Sequence, residues 1–278
     1  MDKKKNLIFL LSIFNNIIIT KFPGMLTDEQ KLYDKLIEEF SLSSLQHWNI
    51  DTIEKIHNNI TCISKSRNEG NYVEPITFTS SSGSVLVIIF PKFVLKIFTS
   101  IDVLKKVTKL INSGTNSENM INLYDSVEKD DFYAIITNVL KPLIDWNGAG
   151  PRINYYLSNE DVIITLLLQI GNALDSLHIN GYNHGDCTLD NIGVYNNKFM
   201  LFDFNSGSLN GLPYFDIRSL FKSIISKAEL NESSSFIISY LKDKSITNGN
   251  ELTTNVIEYC NLYNKDIENL RLLVPKLK

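Results

Sequence analysis

Tyr182-Asn183-His184-Gly185-Asp186-Cys187-Thr188-Leu189-Asp190-Asn191-Ile192-Gly193-Val194 is the stretch whose reading decides the fold. A short strand predicted over 199–202 follows it and delivers Asp203-Phe204-Asn205. Asp186 is followed five residues later by Asn191, and Asp203 stands at the end of the hairpin between them. Asn191 and Asp203 are hard oxygen donors, which suits Mg²⁺: that ion takes a few such ligands and fills its shell with water and phosphate oxygens. A carboxylate at Asp186 can orient an attacking hydroxyl and accept its proton. Phosphoryl transfer needs these parts and little covalent chemistry beyond them.

Outward on the N-terminal side lies Gln169-Ile170-Gly171-Asn172-Ala173-Leu174-Asp175-Ser176-Leu177-His178, then Asn180-Gly181 and the His184 loop. This order resembles the helix and catalytic loop of the protein-kinase-like superfamily. The resemblance implies a catalytic role for Asp186, metal ligation by Asn191, and Asp203 as the main metal ligand at the D-F-G position. It makes His184 a structural hydrogen-bonding residue. It also makes Asp216, in Asp216-Ile217-Arg218-Ser219-Leu220, the buried aspartate that opens a core helix and braces the catalytic loop. ATP and Mg²⁺ are the cofactors implied. The fold implied is α+β and bilobal, with a small antiparallel-sheet N-lobe and a mainly helical, reduced C-lobe.

Upstream, Lys96 in Phe93-Val94-Leu95-Lys96-Ile97-Phe98 fits the strand lysine that pairs the α/β-phosphates, with a solvated edge-strand lysine as the alternative. Thr79-Ser80-Ser81-Ser82-Gly83-Ser84-Val85 stands where a phosphate-covering loop belongs. Only Gly83 and Val85 match that pattern, and an ordinary hairpin turn is an equal reading. Nucleotide contacts are thus expected at Gly83, Val85 and Lys96, and at Asn138 and Val139 beside a hinge over 138–143.

Several positions depart from the family pattern. Gly185 replaces the usual arginine, which argues against control through an activation-loop phosphate. Asn205 replaces glycine, a mild change if the position needs left-handed backbone angles. Thr188 stands where Ser/Thr protein kinases carry a lysine. The helix after Lys96 offers no glutamate in place: Asp102 comes too early and Glu118 too late. Between Asn205 and Asp216 the chain has only ten residues and no A-P-E motif. That segment resembles those of the KEOPS-complex kinase, Rio kinases and aminoglycoside or choline phosphotransferases. Cys187 reads as a packed small residue rather than a reactive thiol.

Along the rest of the chain, apolar residues at helix spacing run over 27–63, and 64–71 reads as a loop. Short β-branched and aromatic runs over 76–79, 85–90 and 93–98 read as successive hairpins, followed by a helix over 101–111. Strands are expected over 121–127 and 132–139, joined by the acidic turn Glu128 to Asp131. Ser158 with Asp161 marks the start of a helix running to His178. The organisation predicted is an apolar N-terminal segment at 1–26, a helical extension at 27–70, the N-lobe at 71–140 and the C-lobe at 141–278.

The 278 residues, 44% hydrophobic and 21% charged, can bury a substantial core. A net charge of −4 gives no electrostatic reason to expect nucleic acid as a partner. Three scattered cysteines make neither a disulfide framework nor, with the four histidines, a zinc pattern. Lys3, Lys4 and Lys5 precede an apolar run from Leu7 to Ile19, the layout of a signal peptide. Asn15 and Asn16 interrupt that run, no A-x-A-like site follows, and it is too short to span a bilayer. A cytoplasmic location is the expectation; targeting or membrane association through 7–19 is the less favoured alternative.

The function expected is ATP- and Mg²⁺-dependent transfer of a γ-phosphate to a protein Ser/Thr hydroxyl. A small-molecule kinase of the aminoglycoside or choline type is one alternative. A pseudokinase scaffold is the other, motivated by the incomplete glycine loop and the missing glutamate.

Overall fold

A computed structural model describes residues 76–79, 85–89, 92–129, 132–143, 157, 159–227, 230 and 232–271, with the single positions Asn59, Ile63 and Arg67. The apolar run 7–19, Gly83 and Ser158 lie outside the described residues, as does nearly all of 27–70. The chain divides into two compact units, one from Met1–Lys105 and Leu123–Val139, the other from Lys106–Asn122 and Leu140–Lys278.

The first unit is built on an antiparallel sheet: β1 (Ile76–Thr79), β2 (Val85–Ile89), β3 (Val94–Phe98), β4 (Leu123–Lys129) and β5 (Phe132–Thr137). Their order is β1-β2-β3-β5-β4. Alternate residues of β2, β3 and β5 build one core face from Leu86, Ile88, Leu95, Ile97, Ala134 and Ile136. Burying each of the larger ones is worth about 1.5–3 kcal/mol relative to leaving it in water. Val85, Val87, Phe98 and Ile135 are buried on the opposite face. A sheet covered on both sides reads as continuous apolar runs, which is how these strands announce themselves. The first acidic residue of the expected turn, Glu128, instead belongs to β4, because the hairpin pairing runs on through Lys129↔Phe132.

Helix α1 (Ile101–Ser113) follows β3 and carries Asp102, exposed, in its first turn. The second unit continues with β6 (Lys141–Pro142), α2 (Glu160–His178), β7 (Tyr182–Asn183), β8 (Ile192–Tyr195), β9 (Lys198–Leu201) and β10 (Ser208–Leu209). Four helices close it: α3 (Pro213–Lys227), α4 (Glu232–Lys242), α5 (Gly249–Leu262) and α6 (Ile267–Arg271). β6, β8 and β9 form one small sheet, and β7 pairs with β10. The structure moves the start of α2 by one residue. Asn159 is its N-cap, and its side chain accepts a hydrogen bond from the Asp161 N–H, so the Ser158 reading is replaced.

α2 is buried over most of its length and forms the axis of this unit. α5 approaches it closely at two glycines. A Cβ on Gly249 would lie 2.2 Å from the Asp175 nitrogen, and one on Gly171 would lie 2.5 Å from the Thr253 hydroxyl. The contact requires residues without side chains. At the other end, Lys265 reaches Glu160 at 2.8 Å and Asp161 at 2.6 Å, which ties the α5–α6 turn to the negative start of α2. Among the described residues, no helix is long and apolar enough to cross a membrane.

Candidate active site

The loop 184–191 hangs from the hairpin β8–β9 and from two helices behind it. β8 and β9 pair Ile192 with Leu201, and the ladder continues when the Phe202 N–H donates to the Asn191 carbonyl at 3.0 Å. Asn191 therefore sits across from Phe202, one residue from Asp203. The register brings two of the expected metal ligands to the same end of one hairpin. Asn119 extends the support: its amide donates to the Phe199 carbonyl at 2.9 Å, and its own carbonyl accepts from the Leu201 N–H.

Asp186 is exposed, and Asn191 holds it. The Asn191 side-chain amide donates to both the Asp186 backbone oxygen and its carboxylate Oδ2, each at 2.9 Å. The Thr188 N–H also donates to the Asp186 carbonyl, so the loop turns tightly behind the carboxylate. This arrangement spends the amide hydrogens of Asn191 on Asp186 and leaves its Oδ1 unused by the pair. Asp203 stands in left-handed backbone, φ 66° and ψ 70°, ahead of a short 3-10 turn over Phe204–Ser206. Aspartate tolerates this region better than most residues. Asn205 does not adopt it. The left-handed residue is Asp203, two positions upstream, so position 205 does not need the left-handed angles for which asparagine was expected to stand in.

Behind the loop lies Asp216, fully buried in the first turn of α3. Its carboxylate accepts from the His184 N–H at 2.7 Å and the Gly185 N–H at 2.8 Å. It also faces His178 Nε2 at 3.1 Å. The Gly249 N–H donates to His178 Nδ1, which leaves the ring proton on Nε2 to donate to Asp216. His178 therefore links the start of α5 to the loop, a role the sequence reading left unassigned. Ser223, two turns further along α3, accepts from the Leu189 N–H at 2.9 Å, and Lys227 pairs with Asp190. One helix thus grips the loop at three points.

Gly185 explains the missing arginine. Its φ is +81°, and a Cβ there would lie 2.4 Å from the Ser206 carbonyl oxygen. The backbone after Asp203 occupies the space where any side chain would begin, so glycine is demanded by both angle and room.

His184 packs edge-on against Phe204, ring centroids 4.8 Å apart. Its Nε2 donates to the Phe202 carbonyl at 2.9 Å, and its Nδ1 accepts from the Asp186 N–H at 3.3 Å. Burial holds the imidazole below its ordinary pKa, the dominant effect, against an upward pull from Asp216. The unfolded chain therefore binds this proton more tightly than the native one. Stability contributed by neutral His184 is present above the ordinary imidazole value and is lost as pH falls from there toward the lowered one. Thermal unfolding followed from about pH 7 to about pH 5.5 should show a falling melting temperature, and His184→Gln should flatten that slope. Equal slopes in both proteins would remove His184 as the cause. Cys187 beside it is also fully buried, and burial raises its thiol well above the ordinary value. It is packed, not nucleophilic.

In the first unit, β3 is the middle strand of its sheet, and Lys96 is only 7% exposed. It is not an edge-strand lysine in solvent. The register sets it between Val87 and Ile135, both buried. Val85 begins β2, opposite Phe98. Asn138 and Val139 follow the end of β5, with Asn138 fully buried. Glu118 lies beyond the end of α1 and pairs at the surface with Lys198.

No family model matches the sequence, and no curated protein matches it in sequence either. Solved structures do resemble it. Vaccinia related kinase 3 is 10% identical, over 74% of this chain and 97% of that one, with a TM-score of 0.46. The kinase PK-1 of Cydia pomonella Granulovirus is 19% identical, over 55% of this chain and 61% of that one, with a TM-score of 0.40. An antiparallel five-stranded sheet followed by α1, then the long helix α2, the 184–191 loop, the β8–β9 hairpin and α3, give the chain an α+β fold.

Proposed function

We propose that this protein is an ATP- and Mg²⁺-dependent phosphotransferase that moves the γ-phosphate to a Ser/Thr hydroxyl of a protein. The observation that carries the reading is the pair of hydrogen bonds from the Asn191 amide to Asp186. They hold an exposed carboxylate on a braced loop and turn a hard oxygen the other way. The donor set fits Mg²⁺. Among the described residues no cluster of three or more His, Cys, Asp or Glu could cage a metal, whereas Mg²⁺ needs only one or two protein oxygens beside phosphate.

In this reading Asp186 orients the acceptor hydroxyl and receives its proton. Asn191 fixes the Asp186 carboxylate, and Asn191 Oδ1 with Asp203 would hold the ion. Bound Mg²⁺ would supply neutralisation of the charge on the β- and γ-phosphates. Lys96 is assigned to the α/β-phosphates, with Val85, Asn138, Val139 and Gly83 as the further nucleotide contacts. Asp216, Ser223 and His178 keep the loop in register.

Transfer from γ-labelled ATP to a generic protein substrate, wild type beside Asp203→Ala, tests the proposal. The variant should lose at least about tenfold in rate, with thermal stabilisation by Mg-ATP reduced. Transfer only to an aminoglycoside or a similar small alcohol would replace the protein acceptor. Absence of both transfer and nucleotide stabilisation in the wild type would end the enzyme reading in favour of a scaffold.

A further inference from the structure

The face of α3 turned away from the catalytic loop lines a groove. Two neighbouring rows run along it at four-residue spacing: Ile217, Phe221 and Ile225, and beside them Tyr214, Arg218 and Lys222. The end of α4 and the chain after it form the other wall with Leu241, Lys242, Lys244 and Ile246. The space enclosed is about 480 Å³, within the range of specific ligand pockets. Its floor is apolar, since Ile217, Leu241 and Ile246 are buried. Its rim is cationic, and no Asp or Glu lines it.

Three of those four cations lack a counter-charge among the described residues. Lys244 is engaged, with Glu258 at 3.8 Å and over the Tyr240 ring at 4.7 Å. Arg218, Lys222 and Lys242 form no ion pair among the described residues. The whole chain carries a net charge of −4, so this local excess of positive charge is not a property of the bulk surface. Tyr214 and Ile225 remain 47% and 41% exposed beside it. Large apolar side chains and unpaired cations meeting in one groove match a ligand that brings carboxylates and apolar groups together.

We propose that this groove binds an acidic peptide segment, its apolar side chains on the floor and its carboxylates paired with Arg218, Lys222 and Lys242. A simple inorganic anion would leave the apolar floor unused, and a neutral apolar helix would leave the cations unpaired. The inference does not depend on the phosphotransferase reading.

The test uses the full chain and a fluorescein-labelled peptide of alternating leucine and glutamate, read by fluorescence anisotropy. A control peptide carries glutamine in place of glutamate. The acidic peptide should bind at least about tenfold tighter than the control, and more weakly as salt is raised. Combined R218E, K222E and K242E should abolish that difference. The triple variant is first checked by thermal unfolding. If it does not fold, Lys222→Gln and Lys242→Gln replace it, and each should weaken the acidic peptide while sparing the control. Equal affinity for the two peptides would overturn the proposal, as would unchanged binding in the variants or no binding of the acidic peptide. So would displacement of the peptide by a short oligonucleotide at lower concentration than by unlabelled peptide, which would mark a nucleic-acid surface instead.

Discussion

Replacing Asp186 by alanine is expected to reduce phosphoryl transfer by about 10²–10⁴-fold while leaving the fold intact. The two halves of that expectation rest on different features. Asp186 is exposed and anchors nothing in the core, so little stability is at stake in its side chain. The Asn191 amide would lose one acceptor but keep the Asp186 backbone oxygen at 2.9 Å, so the loop retains its turn. The acceptor hydroxyl, in contrast, would lose the carboxylate proposed to orient it and take its proton. Single-turnover transfer with saturating Mg-ATP measures the chemical step apart from product release. A rate within about threefold of wild type, in a protein with an unchanged melting curve, would remove Asp186 from the chemistry.

Asp216→Ala is expected to act on stability first. The carboxylate is fully buried and satisfies the N–H groups of His184 and Gly185 as well as the His178 ring. Alanine would leave those donors without an acceptor inside the protein. Leaving a buried donor unsatisfied costs about 1–3 kcal/mol, so orphaning these groups together costs several kcal/mol. In a unit of this size that corresponds to a drop of roughly 10 °C in melting temperature. Asp216→Asn, which keeps one oxygen acceptor, should recover part of the loss. Transfer should fall in both variants, since the loop carrying Asp186 would lose its brace. A melting temperature within about 2 °C of wild type for Asp216→Ala would show that the loop is held without α3.

How much of this was legible beforehand depends on the range of the physics involved. The strands at 85–89, 94–98 and 132–137 and the helices at 101–113 and 160–178 follow from local apolar patterning, and their ends moved by only a few residues. The cap at Asn159 rather than Ser158 is a local choice between two adequate acceptors, which pattern alone does not separate. Asp186, Asn191 and Asp203 stood out through their spacing, because groups gathered at one end of a hairpin lie at fixed intervals along the chain. The role of His178 is not legible in that stretch. Its partners, Asp216 and the Gly249 N–H, lie 38 and 71 residues away. A helix-ending histidine just before Asn180-Gly181 was the available signal, and it does not name its partner.

The amino-acid order by itself determined which residue types meet at the hairpin: an aspartate, an asparagine and a second aspartate at intervals that the β8–β9 ladder brings to one end. It also determined the apolar runs that become the sheet, since burial preference and side-chain alternation are properties of neighbours in sequence. Tertiary structure alone decided that Gly185 must have no side chain, that His178 joins α5 to Asp216 behind the loop, and that the outer face of α3 carries three cations without an ion pair among the described residues, over an apolar floor. The reason is physical. Steric exclusion, buried hydrogen bonds and charge balance are set by atoms within a few ångströms in space, and those atoms belong to residues far apart along the chain.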